Sequence, residues 1–277
     1  MPAQPPTLAE ITRELLLIYN RRPVKRWGQH FLVDPNVLQR IVAAAELKND
    51  DLVIEIGSGL GVLTSELAKC ANWVFAVEID KELAKISKEV LKPRQNISFI
   101  ERDILRVNLS ALTGEKKYKV VGNLPYYITA PIVEKITKAE NKPELAVIMA
   151  QREVAERMSA VPGSKKYGSF SIFAQYHAEV KIDSFVSKSS FLPWPEVGSA
   201  IVVLRPYPAP KYPVKNEKLF FDLVHAAFQQ RRKKLRNSLS EYDLEGSGID
   251  LNRRPEELSI EEFGALSAQI LSSLEAF

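Results

Sequence analysis

Leu52-Val53-Ile54-Glu55-Ile56-Gly57-Ser58-Gly59-Leu60-Gly61 is the stretch whose reading decides the fold. An apolar, β-branched run too short for a helix ends at three glycines spaced two apart, and helical spacing resumes from Val62 to Cys70. A strand that breaks at a glycine turn and restarts as a helix opens a βαβ unit, in which the turn brings backbone close to a nucleotide. The dinucleotide fingerprint G-x-G-x-x-G would need a small residue at position 62, and Val62 stands there. Glu55 is out of character in a buried strand unless its carboxylate meets backbone donors or a cationic ligand.

Working outward from this turn, strands are expected at Trp73–Val77, Ile97–Ile100, Val120–Gly122 and Leu145–Met149. Helical spacing intervenes up to Leu91, from about Ala130, and from Glu153 to Met158. Alternation at this spacing predicts a parallel, doubly wound sheet, whose ligands bind at the carboxyl ends of the strands. Gly57–Gly61, Glu78, Asp103 and Asn123–Tyr126 all fall at such ends. Ala178–Val186 and Ser199–Leu204, separated by the turn Phe191-Leu192-Pro193-Trp194-Pro195, read as an antiparallel hairpin at the sheet edge. On the other side, Met1–Pro6 is Pro-rich and expected to be disordered, Thr7–Tyr19 is a capped helix, and Asp34-Pro35 starts another through Ala45.

The expected fold class is therefore α/β: a Rossmann-like doubly wound sheet with an antiparallel edge hairpin, plus a small C-terminal α-helical domain. Its domains are an N-terminal extension (1–24), a cofactor-binding domain (25–207) and a helical domain (208–277) that follows the Pro-rich linker Arg205–Pro213. The single cysteine, Cys70, excludes an internal disulfide, and three scattered histidines argue against a zinc site, so no metal is expected. A net charge of +4 is mild, which leaves nucleic-acid binding to local clusters. No stretch reaches the apolar length of a membrane span and no targeting segment is evident, so a cytoplasmic protein is expected.

The fourth strand ends in Gly122-Asn123-Leu124-Pro125-Tyr126-Tyr127. Pro125 fixes its own φ and biases Leu124 toward extended backbone, which holds the neighbouring carbonyls in set directions. The Asn123 amide, the Leu124 carbonyl and the Tyr126 ring together suit a planar base with an exocyclic amino group. The oxygens would accept the amino hydrogens while the ring stacks. Glu78, 21 positions after Gly57, is placed to grip a ribose hydroxyl pair, and Asp103 to accept from an adenine amino group. With Glu55, these acids favour an adenosine carrying a cationic amino-acid tail, S-adenosylmethionine, over NAD.

Six motifs, taken together, carry a family resemblance. They are Gly28-Gln29-His30-Phe31-Leu32, Glu55–Gly61, Asn123-Leu124-Pro125-Tyr126, Gln151-Arg152-Glu153-Val154-Ala155-Glu156-Arg157, Phe191-x-Pro193-x-Pro195-x-Val197-x-Ser199, and Phe228-x-Gln230-Arg231-Arg232-Lys233-x-Leu235-x-Asn237. From about Lys25 to Leu239 the chain resembles the ribosomal RNA adenine dimethyltransferase family, and within it the bacterial members that act on small-subunit (16S) RNA. The resemblance implies dimethylation at N6 of two adjacent adenines near the 3′ end of that RNA, in the small subunit or its precursor, by a monomer. It implies cofactor contacts from His30, Leu32, Gly57, Glu78, Asp103 and Asn123, to which the strand and its glycine turn add Glu55, Gly59 and Gly61 as candidates, and it places Tyr126 and Phe191 against the target adenine. Many members have Asn where this chain has His30.

Arg231, Arg232, Lys233, Lys234 and Arg236 fall within six positions and suit phosphate contacts. Lys165-Lys166, Lys116-Lys117-Lys119 and Arg21-Arg22 are secondary candidates for the same role. Two other readings stay open: a large-subunit adenine methyltransferase of the antibiotic-resistance type, and a non-catalytic nucleic-acid-binding assembly or transcription factor on the same fold.

Overall fold

The computed structural model describes residues 5–24 and 27–275; the first four residues of the Pro-rich start, and Lys25-Arg26 of the basic segment, lie outside them. In chain order the elements are α1 (Leu8–Ile18), β1 (Phe31–Leu32), α2 (Pro35–Ala44), β2 (Leu52–Ile56), α3 (Val62–Cys70), β3 (Trp73–Glu78), α4 (Lys81–Val90) and β4 (Ile97–Glu101). They continue with α5 (Leu109–Thr113), β5 (Tyr118–Asn123), α6 (Thr129–Thr137), β6 (Leu145–Gln151), α7 (Arg152–Met158), α8 (Ser169–His177) and β7 (Ala178–Val186). The last are β8 (Phe191–Leu192), β9 (Ser199–Pro206), α9 (Glu217–Gln229), α10 (Leu235–Ser238) and α11 (Ile260–Glu275).

Seven strands form one sheet in the order β4-β3-β2-β5-β6-β9-β7. β2 pairs parallel with β3 on one side and β5 on the other, so the winding reverses between β2 and β5. β9 runs antiparallel to β6 and separates it from β7, which is the edge strand. The expected doubly wound sheet and its antiparallel edge are both present. β2 is buried at every residue, as a central strand with helices on both faces must be.

Two compact units divide the chain: Met1–Ala155 with Val180–Pro206, and Glu156–Glu179 with Tyr207–Phe277. The first holds the sheet, with Val37, Ile41, Val53, Leu67, Val74 and Val121 among its fully or almost fully buried side chains. α1 belongs to this unit rather than forming an extension: Leu16 clusters with Phe31, Leu60, Leu83 and Ile86. Its start is the expected capping box, in which Glu10 N donates to Thr7 and Thr7 N to Glu10. The second unit packs Phe220, Leu223 and Phe263 with Tyr167, Ile172 and Tyr176. The helical domain expected from residue 208 thus also takes in 156–179. The reason is α8, whose buried Ile172 and Tyr176 join that core, and which is absent from the sequence reading above.

Candidate active site

A cavity of about 360 Å³ opens where β2 and β5 end, at the reversal of the winding. Its size suits a nucleotide-sized ligand. The β2–α3 turn forms its floor, with Gly57 and Gly59 at φ +77° and +54°, values that side-chain-bearing residues avoid. Glu78, at the end of β3, closes one wall. Its two oxygens accept from Gly59 N and Asp80 N, both at 2.9 Å, which locks the carboxylate against the glycine turn. Burial pushes the Glu78 carboxyl up; the Asp80 and Gly59 amides oppose this and the Asp80 charge adds to it. Asp103 also lines the cavity and accepts from Leu105 N at 2.9 Å, capping the turn after β4.

The opposite wall comes from the N-terminal segment. Trp27, Gly28, Gln29, His30, Phe31 and Leu32 all border the cavity. Three bonds hold them: Gln29 Nε2 donates to Asp80 at 3.0 Å, Gln29 Oε1 accepts from Val24 N, and Arg21 reaches Asp80 at 3.1 Å. β1 is fixed by antiparallel pairing with β8, and His30 Nδ1 donates to Pro193 O at 2.8 Å. Two two-residue strands have no periodicity to detect, so this wall is legible only through the Gly28–Leu32 motif.

Asn123, Leu124, Pro125 and Tyr126 line the cavity together. The Asn123 amide nitrogen donates to the His30 backbone carbonyl at 3.0 Å. A carbonyl can only accept, so this bond fixes which end of the amide is which and leaves Oδ1 as an acceptor. Leu124 N donates to Met149 O, and among the described residues no hydrogen bond goes to the Leu124 carbonyl. The Tyr126 ring lies 5.8 Å from that of His30 at 24°, and its hydroxyl is 2.9 Å from Ser199 Oγ. Burial raises the Tyr126 phenol, against the pull of that Ser199 bond.

Several expected residues serve other ends. Phe191 does not present its ring to a ligand: it is fully buried in the sheet core, because β8 turns it inward opposite Leu32. Glu55 does not border the cavity. Its carboxyl is wholly buried, with the equally buried Thr64 hydroxyl as its neighbour. Burial pushes Glu55 up to about 8, with Thr64 opposing the shift and Glu78 adding to it. Gly61 packs rather than binds: a Cβ there would come 2.9 Å from Leu91 Cδ1 and 3.2 Å from Ser87 Cβ, so glycine lets α3 approach α4.

The basic candidates also divide. Residues 231–234 form a turn between α9 and α10 rather than a continuous helix face. Arg232, Lys233, Lys234 and Arg236 are exposed, whereas Arg231 ties to Glu256 and to the Ser164 carbonyl. Lys165 is exposed and Lys166 pairs with Glu156. Lys119 is buried against Asp51 at 2.8 Å, and Arg21 is held by Asp80, so neither faces a partner strand. Among the described residues no group of three or more His, Cys, Asp or Glu is placed to hold a metal, and no helix is long and apolar enough to cross a membrane.

Comparisons with known proteins converge on one family. Relatives from Clostridium botulinum (strain Okra) and Clostridium acetobutylicum, both called ribosomal RNA small subunit methyltransferase A, are each 42% identical to the chain. The matches cover 92% and 94% of this chain, and 97% and 98% of theirs. Among solved structures, a dimethyladenosine transferase from Plasmodium falciparum superposes with a TM-score of 0.73 at 26% identity, over 86% of this chain and 96% of that one. The 23S rRNA methyltransferase ErmE does so with 0.70 at 27%, over 87% and 99%. The family model described as ribosomal RNA adenine dimethylase matches residues 20–270, and the chain belongs to that family.

Proposed function

We propose that the protein transfers methyl groups from S-adenosylmethionine to N6 of adenines in small-subunit (16S) ribosomal RNA, dimethylating two adjacent adenines near the 3′ end during subunit biogenesis. The observation that carries this reading is the Asn123 amide, turned by the His30 carbonyl so that its oxygen is left to accept, beside the Tyr126 ring and at the reversal of the sheet.

The residues present fit the cofactor: a glycine turn for close backbone approach, a carboxylate locked at the end of β3, and Asp103 at the end of β4. Glu78 would hold the ribose and Asp103 the adenine edge. When bound, S-adenosylmethionine supplies an electrophilic methyl on a sulfonium. The protein's share is to present the nucleophile. Adenine N6 is weakly nucleophilic because its lone pair is conjugated with the ring. Acceptors out of the ring plane, Asn123 Oδ1 and the Leu124 carbonyl, favour a pyramidal nitrogen and free that pair. Tyr126 holds the base, which must leave its stack to arrive. Alignment alone can supply on the order of 7–11 kcal/mol, more than the roughly 10²–10⁴-fold of a general base, so positioning leads.

The test is transfer from methyl-labelled S-adenosylmethionine to under-methylated small and large subunits, with the labelled nucleotides mapped. Label at N6 of adenines in small-subunit RNA is expected. Label only in large subunits would shift the assignment to the resistance type, and cofactor binding without transfer to either would leave an assembly factor.

A further inference from the structure

Among the described residues, the sheet unit exposes large apolar side chains on α1 (Leu17, Ile18), on α4 (Val90) and along the carboxyl rim of the sheet. Ile79, Leu105 and Tyr127 border the cavity and are explained by it. Phe185, Trp194 and Val197, at 49%, 66% and 45% exposure, are not. They sit beyond the cavity on the same carboxyl rim of the sheet, linked back to Tyr126 step by step. Tyr126 bonds Ser199, the first residue of β9. Gly198, just before it, accepts from Arg152 N at 3.0 Å and lies so near the Val186 carbonyl that a Cβ would meet it at 3.1 Å. Phe185 and Val197 flank that contact. The Arg152 guanidinium stands 4.5 Å above the Phe185 ring. On the other side, Trp194 follows Pro193, whose carbonyl holds the His30 ring stacked on Tyr126.

We propose that this rim, formed by Arg152, Phe185, Trp194 and Val197, is a second subsite that receives by stacking the nucleotides adjoining the target adenine on the same RNA strand. The inference rests on the function proposed above. An adenine drawn into the cavity delivers its covalent neighbours to the mouth, and its departure strips each of a stacking partner. Aromatic faces and a guanidinium plane at the mouth are what such bases require. Continuity with Tyr126 favours nucleotides over a protein partner. Glu153 and Glu196 are exposed beside these groups, so the rim is no phosphate track and its contribution comes from ring faces.

The experiment measures binding of intact under-methylated small subunits by wild type, Phe185→Ala, Trp194→Ala and the ring-preserving Trp194→Phe across a salt series. In parallel, S-adenosylmethionine binding and methyl transfer are followed. Each alanine variant should weaken subunit binding about fivefold to a hundredfold, with cofactor binding and the salt slope unchanged, and Trp194→Phe should retain most of the affinity. A photoreactive p-benzoylphenylalanine replacing Trp194 should cross-link to a nucleotide within one or two of the methylated adenine. Alanine variants that bind like wild type, or a cross-link to a ribosomal protein or to distant RNA, overturn the subsite. If wild type transfers methyl while these fail, only the subsite falls. If wild type transfers none, the proposed function falls with it.

Discussion

Among single residues, the proposed activity rests on one side chain at the end of β5, and stability on another in the strand beside it. The His30 carbonyl claims the Asn123 nitrogen, which leaves Oδ1 as the acceptor that the proposed function requires. Asn123→Ala should lower kcat on the order of 10²–10³-fold, the cost of losing one preorganised polar partner, while S-adenosylmethionine affinity changes by less than about threefold. Equal losses in both would remove its assigned role. Asn123→Asp should not rescue, since an oxygen would then face the His30 carbonyl. Glu55, one strand away, affects stability instead. Unfolded, it loses its proton near 4.5; folded, it keeps it until about 8, so the folded state binds more protons in that window. Stability therefore falls as pH rises from 4.5 to 8, and the Glu55 contribution vanishes below it. Glu55→Gln should become more stable than wild type across this range by up to about 5 kcal/mol, read by urea unfolding without cofactor at both ends. A pH-independent gap would refute this. At this scale the sequence was legible where a residue ends a strand, as with Glu78, Asp103 and Asn123. It was not legible for Phe191 and Glu55, because the face a strand residue turns to depends on pairing partners that spacing does not reveal.

Among elements, all five parallel strands are legible, β2 to β4 to within one residue and β5 and β6 short at their ends, since buried β-branched runs bounded by glycine, acid or amide leave little choice. α8 escaped because its aromatic and serine residues have weak helix preference, and its start at Gly168 lacks a side-chain cap to the backbone. The N-terminal wall is the element most exposed to test. Asp80 receives Arg21 and Gln29 while also capping α4, and its own amide holds Glu78. Arg21→Ala should raise the KM for S-adenosylmethionine roughly tenfold, the loss of one charged hydrogen-bonded contact, with a smaller change in kcat. Arg21→Lys should recover part of it. A fall in kcat at unchanged KM would place the effect elsewhere.

At the scale of the molecule, the sequence order misplaces one boundary. Residues 156–179 join the helical unit although the sheet continues after them, and linear composition carries no sign of such an excursion. The exposed turn of that unit predicts an electrostatic signature. Arg232→Ala with Lys233→Ala should weaken small-subunit binding and lower the slope of log affinity against log salt by about one to two. Arg231→Ala should cost stability as well, since it severs the ties to Glu256 and Ser164. An unchanged slope in the double variant would exclude the turn from phosphate contact. The short pairing of β1 with β8 bears on how the protein comes into being. His30 and the Pro193 carbonyl that steadies it are 163 positions apart, and Asp34 accepts from Ser190 across a similar span. During synthesis, every strand from β2 to β6 can emerge and pair while the front of the cofactor chamber still lacks its brace. Closing so long a loop comes late in folding. A growing chain therefore acquires the parallel strands of its sheet before the chamber is closed, and a chain cut short of residue 193 is expected to lack both the brace and β9.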